Sequence, residues 1–287
     1  MNSISTSSSP PFSMEVSNLA LSELLDDGFA AADGRLVCDE LDAFLLDGEK
    51  LSPQLLERIM CCMLFALPHE YPWGKVVILP NPVSRFCIDL RLPQQDWFRN
   101  KKMKKFADEF TLVVKTDLRS DLRIAKSYHE SISGSTWITD ELIDLLQSIS
   151  CGARDALQCF SFSLVTKCNG EVAAACLGFA CGGVYQDYTM CTPVRDRRSC
   201  GSMLSRIVCA ILQQMGIHVW YWGYRMPYME EYVPYGAREF GRQEFNDVLR
   251  KTKGTPLLPL SVIKLPDIIT LDFQVHGHES SEQNSKP

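Results

Sequence analysis

Three β-like runs in close succession constrain the fold of this chain more than any other feature. They cover Phe160 to Val165, Val172 to Ala180 and Val184 to Met190. Asn169-Gly170 separates the first two, a pair suited to the positive φ angles of a tight hairpin turn. Cys181-Gly182-Gly183 makes the second turn, so the spacing predicts an antiparallel meander. A polar loop follows, then a helix from about Cys200 to Met215, a turn at Gly216 and a strand from Ile217 to Trp222. A further helix around Met229 to Tyr235 is expected to stop at Gly236, a natural C-cap.

Upstream, the strongest helix signal starts at Ser52-Pro53. Serine suits the N-cap and proline the first helical position, and Leu55, Leu56, Ile59, Met60, Met63 and Leu64 recur at helical spacing. Pro68 closes this helix, and Lys75 to Leu79 reads as a strand ended by Pro80-Asn81-Pro82. Leu19 to Leu25 alternates apolar and acidic residues in a helix-compatible way. Asp96 to Phe106 predicts a basic helix with Arg99, Lys101, Lys102, Lys104 and Lys105, and Phe98, Met103 and Phe106 as its apolar side. Its plain meaning is a solvated face, and its functional meaning is a nucleic-acid contact. Phe110 to Val114 reads as a strand, and Thr139 caps a helix running through Leu146. A last strand is expected near Ile268 to Phe273, before a polar tail that carries His276 and His278.

The 287 residues suffice for one sizeable core, alone or with a smaller N-terminal companion. A net charge of −6 gives no global pull toward nucleic acid, so an RNA contact has to come from a local basic patch. The 12 cysteines are irregularly scattered, with no C-x2-C and no zinc spacing. They read as reduced core residues, and no metal site is expected. Met1 to Ser13 is rich in Ser, Thr and Pro and lacks arginine, which predicts a disordered leader rather than a targeting peptide. No apolar run reaches the length of a membrane span, and the expected location is cytoplasmic.

The segment from Thr192 to Ser202 is the best candidate for a binding loop. It follows a strand and opens a helix, where free backbone N–H groups and the positive dipole end can hold an anion. Arg195, Arg197 and Arg198, with Ser199 and Gly201, add phosphate-binding chemistry beside it. The plain alternative is a charged surface loop that caps an ordinary helix. Cys191 and Cys200 flank the loop, and a thiolate there would have a lowered pKa. Trp220, Tyr221, Trp222 and Tyr224 form an aromatic cluster, either a stacking surface or a filled core.

Six short signatures appear in order: Leu51-Ser52-Pro53, Tyr71-Pro72-Trp73, Asn81-Pro82 with Arg85, Thr136-Trp137-Ile138-Thr139, Thr189-Met190 and Tyr235-Gly236-Ala237. In that order and spacing the chain resembles the leucyl/phenylalanyl-tRNA–protein transferases over roughly Leu51 to Leu249. The resemblance implies an α+β fold: an acetyltransferase-like (GNAT) core of a mixed, largely antiparallel sheet with packed helices, preceded by a small N-terminal domain. The corresponding division is a leader over 1–18, an N-terminal domain with the basic helix over 19–115, a transferase domain over 116–253 and an extension with a polar tail over 254–287.

The same resemblance implies transfer of Leu or Phe from an aminoacyl-tRNA to a protein N-terminus, with no cofactor, no membrane and no DNA involved. The amino-acid pocket is expected at Trp73, Cys176, Met190 and Met226, and the RNA contact at the arginine loop and Lys101, Lys102, Lys104 and Lys105. The family's glutamate falls on Tyr188, with Gln186 one strand repeat before it and Asp187 on the opposite face. The family's Asp-x-Gln falls on Tyr224 and Met226. Tyr188, Tyr224 and Gln186 are therefore the catalytic candidates. Two alternatives share the frame: an acyl-CoA-dependent N-acyltransferase that holds pyrophosphate at Arg195 to Gly201, and a non-catalytic protein that binds tRNA or an N-terminal residue.

Overall fold

The computed structural model describes residues 41–92, 100–150, 157–265 and 271–276, together with Leu21. The expected features at Met1–Ser13, Leu19–Leu25, Asp96–Arg99, Cys151, Ile268–Thr270 and His278 lie partly or wholly outside these residues.

Two sheets are present among the described residues. The smaller contains β1 (Ala43–Asp47), β2 (Leu67–Tyr71) and β3 (Gly74–Pro80) in the order β1-β3-β2, all antiparallel. Between β1 and β2 runs α1 (Pro53–Cys61), with Ser52 Oγ accepting from the Leu55 N–H at 3.2 Å as its N-cap. The chain then enters the larger sheet through β4 (Ser84–Asp89), passes α2 (Lys101–Phe106), and returns to it as β5 (Phe110–Lys115). Next come α3 (Arg119–Ser133) and α4 (Asp140–Ser150).

The predicted meander is β6 (Gln158–Thr166), β7 (Val172–Cys181) and β8 (Val184–Cys191). After it come α5 (Cys200–Met215), β9 (Val219–Tyr221), a 3-10 segment over Pro227–Tyr235 in place of the helix expected around Met229 to Tyr235, β10 (Ala237–Gly241) and α6 (Arg242–Thr252). The last strand, β11 (Asp272–His276), pairs in parallel with β5, which places His276 in the sheet rather than in the polar tail.

The eight strands run β10-β4-β9-β8-β7-β6-β5-β11, and all pairs are antiparallel except β8–β9 and β5–β11. Strands on both sides of residue 115 thus belong to one sheet. The meander, the loop, the crossing helix α5 and the adjacent parallel strand β9 follow one another in the order expected of an acetyltransferase-like core, within an α+β fold. No helix among the described residues is long and apolar enough to cross a membrane.

Strand alternation sends side chains to two cores. Leu177, Phe179 and Tyr188 pack with α1, α3, α4 and α6 on one face. Cys176, Ala180, Tyr185 and Trp220 pack with α2 and α5 on the other. Of the described cysteines, only Cys61 and Cys168 reach the surface, and all are free thiols.

Two irregularities shape the centre of the large sheet. The ladder between β7 and β8 shifts from Leu177↔Thr189 to Gly178↔Asp187, so Tyr188 is the extra residue of a bulge. Gly178 is needed opposite it: a Cβ there would lie 2.2 Å from the Gln186 carbonyl oxygen and 2.5 Å from the Tyr185 ring. The pairing of β8 with β9 covers Val184↔Val219 to Gln186↔Tyr221 and then stops. Beyond Tyr221 the chain stays with β4, the Trp222 N–H donating to the Phe86 carbonyl at 2.9 Å. β8 continues to Cys191 beside β7. The two parallel strands part just before Asp187.

Candidate active site

Two basic segments meet at the amino end of α5. Asn100 caps α2, its side-chain oxygen accepting from the Lys102 and Met103 N–H groups at 2.8 and 3.3 Å. Met103 and Phe106 are buried, which leaves Lys101, Lys102, Lys104 and Lys105 exposed. Lys102 Nζ donates to Ser199 Oγ at 2.6 Å, a bond between residues 97 apart in sequence. Lys105 and the guanidinium of Arg197 both lie over Phe106, at 5.2 and 5.8 Å from the ring centroid. Exposed cations from both segments therefore share one surface.

The three loop arginines differ in what they leave for a ligand. Arg198 is paired with Asp196 at 2.7 Å and with Glu109 at 3.1 Å, tying the loop to the turn before β5. The bond from Arg198 holds the Asp196 carboxyl below its ordinary value, so this pair is charged on both sides and internally satisfied. Arg195 leans on α3, its Nε donating to Tyr128 Oη at 3.1 Å and its guanidinium 5.5 Å from that ring. Arg197 remains exposed at the surface.

Ser199 adopts φ 55°, left-handed for a residue with a side chain, and makes no side-chain cap to α5. The first turn of α5 borders two cavities. One, of about 290 Å³, is lined by Thr192, Arg195, Ser199 and Gly201. The other, of about 320 Å³, is lined by Lys101, Lys102, Arg198, Ser202 and Glu231. A Cβ at Gly201 would stand 2.8 Å from Thr192 Oγ1, so a larger residue there requires the Thr192 side chain to move.

Where β8 leaves β9, the half-buried Asp187 lies on the α5 face of the sheet. The Cys176 thiol donates to Asp187 Oδ1 at 3.3 Å. Burial pushes the Asp187 carboxyl from its ordinary 3.8 up to about 7, against the lowering effect of that thiol. Tyr228, on the 3-10 segment, is close enough for the Asp187 charge to add to the burial that raises its phenol. Met190 Sδ accepts from Ser205 Oγ at 3.7 Å, and Ser205 also donates to the Gly201 carbonyl at 3.1 Å. Tyr232 lies against Ser205 and Ser202. Ser205 thus links Met190 on β8 to the first turn of α5.

The sequence-predicted residues are dispersed. Cys176 and Met190 are opposite one another in the β7–β8 register, on the Asp187 face. Trp73 is elsewhere, stacked on Tyr71 at 4.8 Å in the β2–β3 hairpin of the small sheet. Met226 and Tyr224 are exposed beside the 3-10 segment, whereas Trp220 and Tyr221 are core residues. Tyr188 is buried on the opposite face, among Phe65, Trp137 and Phe179, with its hydroxyl donating to the Ala66 carbonyl at 3.3 Å. Burial holds that phenol protonated. Gln186 is buried, and its Oε1 has no hydrogen-bond partner among the described residues.

The expectation of a lowered thiol pKa beside the arginine loop is overturned. Burial raises Cys200 and pushes Cys191 up to about 12, so both remain thiols. Asn81 and Arg85 prove structural. Arg85 is buried, donates to Asn81 Oδ1 at 2.7 Å and lies 4.7 Å from the Phe245 ring. No group of three or more His, Cys, Asp or Glu residues suited to a metal occurs among the described residues.

No protein-family model matches the sequence, and no curated protein matches it either. Among solved structures, the chain is similar to the C-terminal domain of a candidate lysylphosphatidylglycerol synthetase from Agrobacterium fabrum. That likeness has 11% identity and a TM-score of 0.39, over 77% of this chain and 84% of the other. It is also similar to FemX, with 10% identity and a TM-score of 0.43, over 81% of this chain and 77% of the other.

Proposed function

We propose that this protein is an acyltransferase that takes an aminoacyl group from tRNA and passes it to an amine, in the cytoplasm. The observation that carries the reading is the meeting of α2 with the arginine loop at the amino end of α5, joined by the Lys102–Ser199 bond. Lys101, Lys102, Lys105 and Arg197 supply exposed positive charge, and the α5 N–H groups add the helix-end partial charge that suits a phosphate. This local patch answers the net charge of −6, which by itself would repel RNA. Exposed Tyr224 and Tyr228, at 58% and 68% accessibility, offer flat faces on which unpaired bases could stack. The donated group is Leu or Phe, accommodated near Cys176 and Met190, and the acceptor is a protein N-terminus. Positioning of an already reactive ester supplies much of the rate.

A second reading keeps the site and changes the donor. The cavity lined by Thr192, Arg195, Ser199 and Gly201 also suits the pyrophosphate of an acyl-coenzyme A. The test is a transfer assay with labelled leucyl- or phenylalanyl-tRNA and a protein bearing N-terminal Arg or Lys. Label in the acceptor supports the first reading, and label only from acyl-coenzyme A supports the second. Tight tRNA binding with no transfer leaves a binding protein on a transferase frame.

A further inference from the structure

Acyl transfer to an amine needs a group that removes a proton from nitrogen as the new bond forms. Tyr188 and Gln186 sit on the far face of the sheet, and Tyr224 is an exposed phenol, so none of the three meets that need on the α5 face. Asp187 is a half-buried carboxyl that the fold places on the α5 face where β8 and β9 part. It is the first residue past the end of the β8–β9 ladder, and the bulge at Tyr188 follows it directly. Its side chain faces Cys176 on β7 and Tyr228 on the 3-10 segment, with Tyr185 preceding it on β8.

We infer that Asp187 is the general base of the transfer, accepting the proton of the attacking amine at the mouth of the gap between β8 and β9. This rests on the acyl-transfer reading, with either donor. The amine nitrogen bonds to the ester or thioester carbonyl carbon, and Asp187 takes one N–H proton. The tetrahedral intermediate then expels the donor's oxygen or sulfur, which leaves with the bond's electron pair and receives that proton from Asp187. The products are the amide and the free hydroxyl or thiol, and the carboxylate is regenerated.

The surroundings suit the role. A carboxyl lifted to about 7 by burial is a stronger base than an ordinary aspartate and still carries a substantial ionised fraction at neutral pH. Cys176 and Tyr185 are held protonated by burial, so neither competes for the proton. Tyr228, whose exposed ring leaves its phenol only partly desolvated, is raised by that desolvation and by the Asp187 charge and also keeps its proton.

The experiment compares the full chain with Asp187→Asn and Asp187→Glu. Donors are leucyl-tRNA, phenylalanyl-tRNA and acetyl-coenzyme A, with a peptide acceptor, across pH 5.5 to 9. A peptide α-amine titrates near about 8. In the wild type both groups must be deprotonated, so log kcat/KM should rise with slope two below about pH 7, with slope one from there to about pH 8, and then level off. Asp187→Asn should lose about a hundredfold to ten-thousandfold in kcat and keep only the slope-one limb, with tRNA binding unchanged. Asp187→Glu should recover part of the rate. An active wild type whose Asn variant keeps both the rate and the slope-two limb overturns the assignment of Asp187 alone. A wild type inactive with every donor overturns the transferase reading and this inference together.

Discussion

Replacing Asp187 by asparagine should make the protein more stable, and increasingly so as pH rises. The carboxyl's ordinary value is 3.8, and burial raises it to about 7 in the folded state. A raised carboxyl binds its proton more tightly when folded than when unfolded. It is neutral in both states below about pH 3.8, and its destabilising effect grows until pH passes about 7, where it levels off. At about 1.4 kcal/mol per pH unit, the full effect is about 4 kcal/mol, of which about 1.5 kcal/mol is present at pH 5. Water reaching the half-buried carboxyl trims these figures, and they are ceilings. The stability gap between Asp187→Asn and wild type should widen by about 2 kcal/mol from pH 5 to pH 8. Urea unfolding at five pH values in that range, followed by tryptophan fluorescence, measures it directly. A gap that stays constant within about 0.5 kcal/mol would mean that Asp187 titrates like an exposed aspartate. The desolvation argument would then be refuted.

Other outcomes follow from the same contacts. Lys102→Ala removes one cation from the cradle and its bond to Ser199, and should flatten the salt dependence of tRNA binding by about one logarithmic unit of slope or less. Filter binding between 50 and 200 mM salt reads this, and an unchanged slope removes α2 from the RNA surface. Asp121→Ala should cost about 2–4 kcal/mol in urea unfolding, because the buried carboxylate accepts from Ser161 Oγ at 2.5 Å and Ser163 Oγ at 3.2 Å and pairs with Lys115. A loss under about 1 kcal/mol would show that water replaces it without penalty. Arg85→Ala should destabilise by about 3 kcal/mol and Arg85→Met by clearly less, since methionine refills the space against Phe245 without a charge to desolvate. Equal losses would mean that the guanidinium's bonds matter more than its volume.

The large sheet was legible because its signals are local. Asn169-Gly170 marks the β6–β7 turn, and the predicted helix 200–215 coincides with α5. Its apolar residues are so dense that burial against the sheet is hard to avoid. The α3 helix was missed because Leu122 and Ala125 are the only apolar residues it buries, while Asp121 is held there by two serines 40 and 42 residues away. No window of sequence contains that pairing. The small sheet was read only at β3, since β2 carries Pro68 and Glu70 and owes its strand geometry to its partner.

The site was legible in halves. Both basic segments stood out by composition, but their contact depends on how α2 and α5 pack over β5 and β6. Alternation correctly put Asp187 and Tyr188 on opposite faces. Which of those faces holds the candidate site is decided by where α5 crosses and where β9 departs, neither of which is a local property.

The gap between β8 and β9 has a consequence for discrimination. Among the described residues, Asp187 to Cys191 have no strand partner on the β9 side, so the main chain there presents an interrupted ladder. Such an edge can pair with the amide groups of any extended chain that enters, whatever side chains it carries. A peptide backbone looks the same at every residue, so the gap would serve as a rail and not as a sieve. Choice among acceptors would then fall to the features at its mouth, where the identity of a terminal residue can be felt. Widening acceptor range by mutation should accordingly be easier at Tyr228 or Met226 than anywhere along the strands.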